Sequence, residues 1–181
     1  MSINVLAICG SLRAKSTNHG LVRYAQAHAP EGMKIHVADL IDVPFYNADL
    51  AEKPAAVQTL LQQISQADAL IFACPEYNYS IAPALKNALD WASREPDNHM
   101  LTGKAVAIMG SGGGMGTSRA QYHLRQVCVF LNLYPLNQPE VFANAFSGSF
   151  DNNGDLIDER LQGLVTKQLD ALLSWHQQLN R

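Results

Sequence analysis

The stretch INVLAICGSLRAKSTN, residues 3–18, carries an apolar run directly into a polar turn and a helix start. Residues 3–9 have the length and the branched side chains of a buried β-strand, and Gly10 follows as a strand-ending residue. A helical pattern begins at about Thr17, with residues 16–18 as candidate N-caps. The stretch therefore predicts a strand, a turn and a helix in immediate succession.

The same unit of strand and helix recurs about five times along the 181 residues. Further apolar runs of strand length lie at residues 34–40, 69–74 and 105–109. A weaker fifth strand is expected either at 134–136 or at 140–142, because Pro135 and Pro139 interrupt this region. The chain is therefore predicted to contain five strands.

Helical patterns separate the strands, and the last one extends from about residue 155 to residue 179. Alternation of this kind predicts a parallel sheet that is covered by helices on both faces and joined by right-handed crossovers. A barrel would need eight such units and about 250 residues, so an open, three-layer α/β sandwich is expected. Because no linker, repeat or low-complexity stretch divides residues 1–181, we expect one domain.

Composition and charge exclude several classes of protein. Hydrophobic residues make up 48% of the chain, enough for a sizeable core, and a net charge of −3 is far from that of a basic nucleic-acid binder. The three cysteines lack metal-ligand or Cys-x-x-Cys spacing, which favours buried thiols in a reducing compartment. No apolar run approaches the ~18 residues of a membrane helix. We therefore expect a cytoplasmic protein without a membrane or nucleic-acid partner.

Ligands of open α/β sheets bind beyond the carboxyl ends of the strands. Three segments rich in small and polar residues follow predicted strands: the first loop (residues 10–18), the second loop (75–80) and the third loop (110–117). The sequence therefore predicts a ligand site where these three loops meet.

The first loop has the donors that a phosphate monoester requires. Free N–H groups at a helix start are joined there by the hydroxyls of Ser11, Ser16 and Thr17 and by the guanidinium of Arg13. For this loop taken alone, a capped helix with a surface arginine is the alternative.

Sharper phosphate motifs do not occur. The chain has no Gly-x4-Gly-Lys-Ser/Thr P-loop, and the glycines of the third loop lack Gly-x-Gly-x-x-Gly spacing. Cys9-x5-Lys15-Ser16 is close to the Cys-x5-Arg-Ser/Thr loop of low-molecular-weight protein tyrosine phosphatases, but lysine lacks the planar fork that binds a phosphoryl group. Nucleotide triphosphatase, NAD-domain and phosphatase functions are therefore not expected.

The other two loops indicate a flat ring. Tyr77 and Tyr79 can supply a stacking wall, and the backbone of residues 76–79 can supply contacts to the ring edge. The third loop lets the backbone approach a ring closely. Tyrosines that merely cover the core and a merely flexible glycine loop are the alternatives. Together the three loops suit a mononucleotide with a tricyclic ring, and FMN fits best.

Four motifs occur in one order along essentially the whole chain. They are Gly10-Ser-Leu-Arg-x2-Ser-x-Asn18, Pro75-Glu-Tyr-Asn-Tyr-Ser80, Leu85-Lys-Asn-Ala-Leu-Asp-Trp91 and Gln121-Tyr-His-Leu-Arg-Gln126. In order and spacing they resemble the NAD(P)H-dependent FMN reductases of flavodoxin-like fold, most closely the bacterial chromate, quinone and azo-dye reductases. One departure is the run Ile81-Ala82-Pro83-Ala84, where the family usually has a branched residue followed by Pro-Gly.

The resemblance implies a flavodoxin-like sheet of order 2-1-3-4-5 and a tightly but non-covalently bound FMN. It implies a phosphate site formed by Ser11, Arg13, Ser16 and Asn18, beside the Thr17 hydroxyl. It implies that the isoalloxazine ring is framed by Pro75, Glu76, Tyr77, Asn78 and Tyr79. It implies that Ser111, Gly112 and Gly113 border the ribityl chain and the other ring edge.

The resemblance also implies an activity. NADPH or NADH would pass hydride to flavin N5 and leave, and a quinone, azo compound, flavin or chromate would then collect the electrons in a ping-pong cycle. Because the cofactor carries this chemistry, we expect neither a catalytic side chain nor a metal site.

Family members are usually homodimers, sometimes dimers of dimers, with the substrate pocket near the subunit boundary. The resemblance therefore implies that residues 45–49 reach toward a neighbour's flavin and that Tyr122 and Arg125 serve the interface.

Two other functions suit the same fold. One is an FMN electron carrier without its own NAD(P)H site, although the mild charge is unlike that of strongly acidic carriers. The other is a regulatory or structural module that retains the fold without the flavin.

Overall fold

The main sheet of the computed structural model, which describes residues 2–181, has six parallel strands. They are β1 (Ile3–Cys9), β2 (Met33–Val37), β3 (Ala69–Ala73), β6 (Ala105–Gly112), β7 (Tyr134–Pro135) and β8 (Val141–Asn144). A separate antiparallel hairpin contains β4 (Glu76–Tyr77) and β5 (Ser80–Ile81). The main order is β2-β1-β3-β6-β7, with β8 also paired to β6. This confirms the predicted flavodoxin-like order 2-1-3-4-5, in which β7 and β8 share the fifth place.

The fifth strand is interrupted. β7 pairs with Ala105 and Val106, whereas β8 pairs with residues 109–112 of the same strand. Both sequence alternatives for the fifth strand are therefore present, as two halves. In the gap, the Gln168 side chain donates from Nε2 to the carbonyls of Ile108 (3.0 Å) and Pro139 (2.7 Å), so a side-chain amide satisfies main-chain acceptors between the two halves.

Five α-helices cover the sheet in the described part of the chain. They are α1 (Thr17–Ala27), α2 (Ala55–Gln66), α3 (Pro83–Ala92), α4 (Ser118–Phe130) and α5 (Glu159–Leu179). One core packs α2, α3 and α4 against the larger strand side chains, such as Leu6, Phe72 and Ile108. The other core packs α1 and α5 against smaller ones, such as Ala7 and Ala107. Burial of both faces explains why the strands are apolar almost throughout.

Several predicted boundaries were wrong by a few residues. β6 continues to Gly112 instead of ending at residue 109, because β8 pairs with the start of the third loop. β2 ends at Val37 instead of residue 40. The last helix begins at Glu159 instead of residue 155, because the Asp158 carboxylate caps it by accepting from the Leu161 amide over 2.8 Å.

Candidate functional site

The three loops follow β1, β3 and β6, which are neighbours in the sheet. Because these strands are parallel, the loops leave the same edge of the sheet side by side. Main-chain hydrogen bonds continue past the strand ends, from the Gly10 amide to the Ala73 carbonyl (2.9 Å) and from the Cys74 amide to the Met109 carbonyl (2.8 Å). The sheet thus brings the three loops together.

The first loop is built around the start of α1. Ser16 is the N-cap, and its Oγ accepts from the Asn18 amide over 3.2 Å. The buried Ser11 Oγ accepts from the Arg13 amide over 3.4 Å. Arg13 itself is exposed, and its only hydrogen bond through the guanidinium among residues 2–181 is a 3.3 Å contact with the Lys15 carbonyl. The geometry therefore contains a capped helix with a surface arginine, and it leaves that guanidinium accessible to an anion.

Asn18 joins the first loop to the third. Its Oδ1 accepts from the Ser111 amide (2.9 Å), and its Nδ2 donates to the Ser111 carbonyl (2.8 Å). The family resemblance implies that Asn18 binds the phosphate, but its carboxamide is directed at the Ser111 main chain. No local sequence signal reveals this pairing, because 93 residues separate the partners.

The second loop is a β-hairpin. Glu76 pairs with Ile81, and Tyr77 pairs with Ser80. The two turn residues have positive φ angles, 50° for Asn78 and 67° for Tyr79, as in the two-residue turns that suit the twist of a hairpin. Asparagine adopts this conformation readily, whereas tyrosine rarely does.

The tyrosines of the hairpin are open to solvent. Tyr77 is 45% exposed and Tyr79 is 65% exposed. The alternative that they cover the core is therefore wrong. Pro75, in contrast, is buried, and a Cβ on Gly10 would lie 3.0 Å from its ring, so the first and second loops pack tightly at their base.

The Glu76 carboxylate is directed toward the start of α4. Its side chain is only 6% exposed, and Oε2 accepts from the Ala120 amide over 3.2 Å. Thr117, the N-cap of α4, makes no such bond through its side chain. Glu76 therefore caps α4 from another element. Its side chain is occupied by this contact, so Glu76 can contact a ring only through its backbone.

Sequence reasoning missed Arg119. Its Nε donates to Glu76 Oε1 over 2.7 Å, and its guanidinium lies 3.7 Å from the centroid of the Tyr79 ring. A signal was present, because a cation in the first turn of a helix opposes the helix dipole unless an acidic group compensates it.

The third loop contains an unpaired buried hydroxyl. Ser111 Oγ is inaccessible to solvent and has no hydrogen-bond partner among the described residues. Buried polar groups nearly always have a partner. A ligand hydroxyl or carbonyl at this position would supply one.

The glycines of the third loop have different roles. A Cβ on Gly110 would lie 2.0 Å from Thr117 Oγ1, and a Cβ on Gly112 would lie 2.5 Å from the Gly116 carbonyl oxygen. These two glycines are required by the packing of the loop itself. Around a Cβ on Gly113 there is nothing within 4 Å, so the predicted close approach of a ligand is sterically open there.

The three cysteines are buried free thiols. Burial raises the pKa of Cys9 to about 11 and those of Cys74 and Cys128 to about 12. Because the thiolate is the nucleophile, Cys9 is not suited to the phosphatase chemistry that its spacing resembles. No cluster of three or more potential metal-binding His, Cys, Asp or Glu side chains occurs within residues 2–181.

The residues present fit FMN. Arg13 and the start of α1 suit a dianionic phosphate, the unpaired Ser111 hydroxyl suits a polyol chain, and the exposed tyrosines suit a flat ring.

Among residues 2–181, none of the helices combines the length and the apolar character that a membrane span requires.

The chain is similar to known FMN reductases and quinone oxidoreductases. The family model of NADPH-dependent FMN reductases matches residues 3–148. An NAD(P)H-dependent FMN reductase of Pseudomonas aeruginosa is 48% identical over 98% of this chain and 97% of its own. An NAD(P)H:quinone oxidoreductase of Solanum tuberosum is 44% identical over 94% of this chain and 91% of its own. The flavoenzyme NAD(P)H:(acceptor) oxidoreductase FerB of Paracoccus denitrificans has a TM-score of 0.87 and 30% identity, covering 97% of this chain and 98% of its own.

Proposed function

The chain belongs to the NADPH-dependent FMN reductase family, and from that premise we propose that it is an oxidoreductase that reduces quinones with NADPH or NADH through FMN bound at the carboxyl edge of the sheet. The observation that carries this proposal is the unpaired buried hydroxyl of Ser111 at the meeting point of the first and third loops. A flavin mononucleotide has its polyol chain between phosphate and ring, where such a hydroxyl would find a partner.

Each loop then has one task. In the first loop, Ser11, Arg13, Ser16, Thr17 and the α1 amides bind the phosphate. In the third loop, Ser111, Gly112 and Gly113 border the ribityl chain. In the second loop, residues 75–79 frame the ring, chiefly through the Asn78 and Tyr79 backbone and the exposed tyrosine rings. Asn18 contributes by fixing the first loop to the third.

Bound FMN supplies a two-electron hydride carrier between the nicotinamide and the acceptor. The side chains of this protein hold and orient it, and none is required as nucleophile or general base. Tyr77 and Tyr79 are exposed at the hairpin, and we propose that donor and acceptor occupy the solvent-open side of the ring in turn. The expected kinetics are ping-pong.

Quinones are the acceptor class that we propose first, because two-electron acceptance suits a hydride carrier and several similar proteins are named for it. Azo compounds, free flavins and chromate are further proposed acceptors, since the exposed Tyr77 and Tyr79 leave the site open to molecules of varied shape.

A homodimer, or a dimer of dimers, is the proposed assembly. Val129 and Phe130 on α4, and Phe45 in the segment before α2, are large apolar side chains that are mostly exposed, and apolar surface of this kind favours association.

The cytoplasm is the proposed compartment, because free buried cysteines favour a reducing environment.

Steady-state oxidation of NADPH by the FMN-loaded protein, with a benzoquinone as the only other component, tests the proposal. We expect turnover, with parallel double-reciprocal plots as the quinone concentration is varied. An FMN electron carrier without its own NAD(P)H site would bind flavin but show no turnover without a partner protein. A module without a flavin site would not retain FMN.

A further inference from the structure

One side chain of α4, Arg119, contacts the hairpin at two positions. Its Nε donates to Glu76 in β4 over 2.7 Å, and its guanidinium stacks on the ring of Tyr79 in the turn, 3.7 Å from the centroid. The arginine therefore ties the turn of the hairpin both to its own first strand and to the helix beside it.

The contact with Glu76 makes this position of Arg119 stable. A cation in the first turn of a helix is unfavourable by itself, and a buried carboxylate is unfavourable without a partner. Here the Arg119 cation and the Glu76 carboxylate offset each other through their hydrogen bond. Glu76 also accepts from the Ala120 amide, which anchors the carboxylate at the start of α4. The geometry of the guanidinium is thereby fixed, although its side chain remains 39% exposed.

The contact with Tyr79 acts on a strained residue. Tyr79 has a φ of 67°, a conformation that persists in a non-glycine residue only when the surroundings impose it. Stacking against Arg119 holds the ring of this residue in place. One helical turn further along the same face of α4, His123 Nδ1 lies 3.2 Å from Ser80 Oγ and contacts the hairpin again.

We propose that Arg119 is a positioning residue for the flavin ring, which acts by holding the Asn78–Tyr79 main chain in the left-handed conformation that faces the ring. The proposal rests on the proposed function, because it takes the hairpin as the ring frame. It requires arginine, because lysine has neither the planar face that stacks on Tyr79 nor the fork that binds Glu76.

The test uses the full chain without flavin and then with added FMN. Amide hydrogen exchange of residues 77–81 in the apoprotein reports the clamp by itself. Quenching of FMN fluorescence gives the dissociation constant. The variants are Arg119→Lys, Arg119→Met, Tyr79→Leu and the double variant Arg119→Met/Tyr79→Leu. Arg119→Met/Glu76→Gln serves in place of Arg119→Met if the unpaired carboxylate prevents folding.

We expect faster exchange in the hairpin for both Arg119 variants, and an FMN dissociation constant raised about fivefold in Arg119→Met, the scale of a partly exposed cation–π contact. Arg119→Lys should not restore either property. The double variant should bind FMN no more weakly than Tyr79→Leu, because Arg119 acts through that ring. Arg160→Met is the control, since Arg160 is an exposed arginine in the first turn of α5; it should leave the hairpin exchange unchanged.

Three results would overturn the proposal. They are an unchanged dissociation constant in Arg119→Met, full rescue by lysine, and additive effects in the double variant. If hairpin exchange rises while FMN binding stays unchanged, the clamp exists but does not serve the ring, and the proposed function still stands. If the wild-type chain does not bind FMN, the proposed function fails, and with it the role of Arg119 toward the ring.

Discussion

The carboxamide of Asn18 forms two hydrogen bonds with the main chain of Ser111, one as acceptor (2.9 Å) and one as donor (2.8 Å). Asn18 lies in the first turn of α1, and Ser111 lies near the end of β6. This pair fixes the distance between the segment that suits a phosphate and the segment that suits the polyol chain. The spacing of the site is therefore set by the protein before any ligand binds.

Asn18→Ala should lower both stability and FMN affinity. It leaves a buried amide and a buried carbonyl without partners, at about 1–3 kcal/mol each, so we expect a loss of roughly 2–4 kcal/mol in the free energy of unfolding. Denaturant unfolding measures the loss. Asn152→Ala, at an exposed loop position, should change stability by less than about 0.5 kcal/mol. Equal effects of the two substitutions would refute the structural role of the Asn18–Ser111 pair.

Arg13→Ala should weaken FMN binding by roughly 1.5–3 kcal/mol, the scale of a charge-assisted hydrogen bond. Because Arg13 is exposed and bonded only weakly within the described chain, stability should hardly change. Arg13→Lys keeps the charge but loses the bidentate fork, and its affinity should be intermediate. Fluorescence titration with FMN checks this series, and an unaltered dissociation constant in Arg13→Ala would remove Arg13 from the site.

Gly110→Ala and Gly113→Ala should fail in different ways. The new Cβ at position 110 would lie 2.0 Å from Thr117 Oγ1 and 2.5 Å from the Cys74 carbonyl oxygen, so we expect a loss of about 2–4 kcal/mol in stability. At position 113 the Cβ meets nothing within 4 Å, so stability should stay within about 1 kcal/mol while FMN affinity falls. Thermal unfolding and FMN titration separate the two effects. A stable Gly110→Ala variant would contradict the packing described for this loop.

Acid should destabilise the fold partly through Asp158. The hydrogen bond from the Leu161 amide, with a second from Ser149, lowers the pKa of the Asp158 carboxyl. A lowered folded-state pKa gives stability that is fully present above the unfolded value of about 3.9. That stability is lost as the pH falls through the folded-state pKa of Asp158, which lies below the unfolded-state pKa.

Asp158→Asn should therefore be less stable than the wild type near neutral pH and should show a shallower loss of stability in acid. Circular dichroism during acid titration, with denaturant series at fixed pH values, measures both. Asp42→Asn, in an exposed loop, is the matched control and should follow the wild type. If the stability of Asp158→Asn depended on acid as that of the wild type does, protonation of Asp158 would not contribute to acid unfolding.

Much of this architecture could be predicted from local patterns. The apolar runs at residues 3–9 and 69–74 gave strands at the expected places because burial on both faces leaves an unambiguous signal. The first loop could be located because a strand end and a glycine are followed, six positions later, by an N-cap residue. The interrupted fifth strand could not be resolved, because proline content alone does not say that Gln168 bridges the gap.

The site could be predicted only in part, for a related reason. Tertiary partners decide what a polar side chain does, and they lie far away in the sequence. Asn18 and Glu76 were placed in the right segments, but Ser111 and the start of α4 occupy their side chains. The sequence does not reveal the hairpin turn at Asn78 and Tyr79, because a tyrosine is an unusual residue at positive φ.

The most direct test of the central claim is an anaerobic visible spectrum of the FMN-saturated protein before and after one equivalent of NADPH, then of NADH. We predict that the absorption band of oxidised flavin disappears with at least one of the two nucleotides and returns when a benzoquinone is added. A bound flavin that neither nucleotide reduces, or a protein that retains no FMN, would contradict the assignment of this chain as an NAD(P)H-dependent flavin reductase.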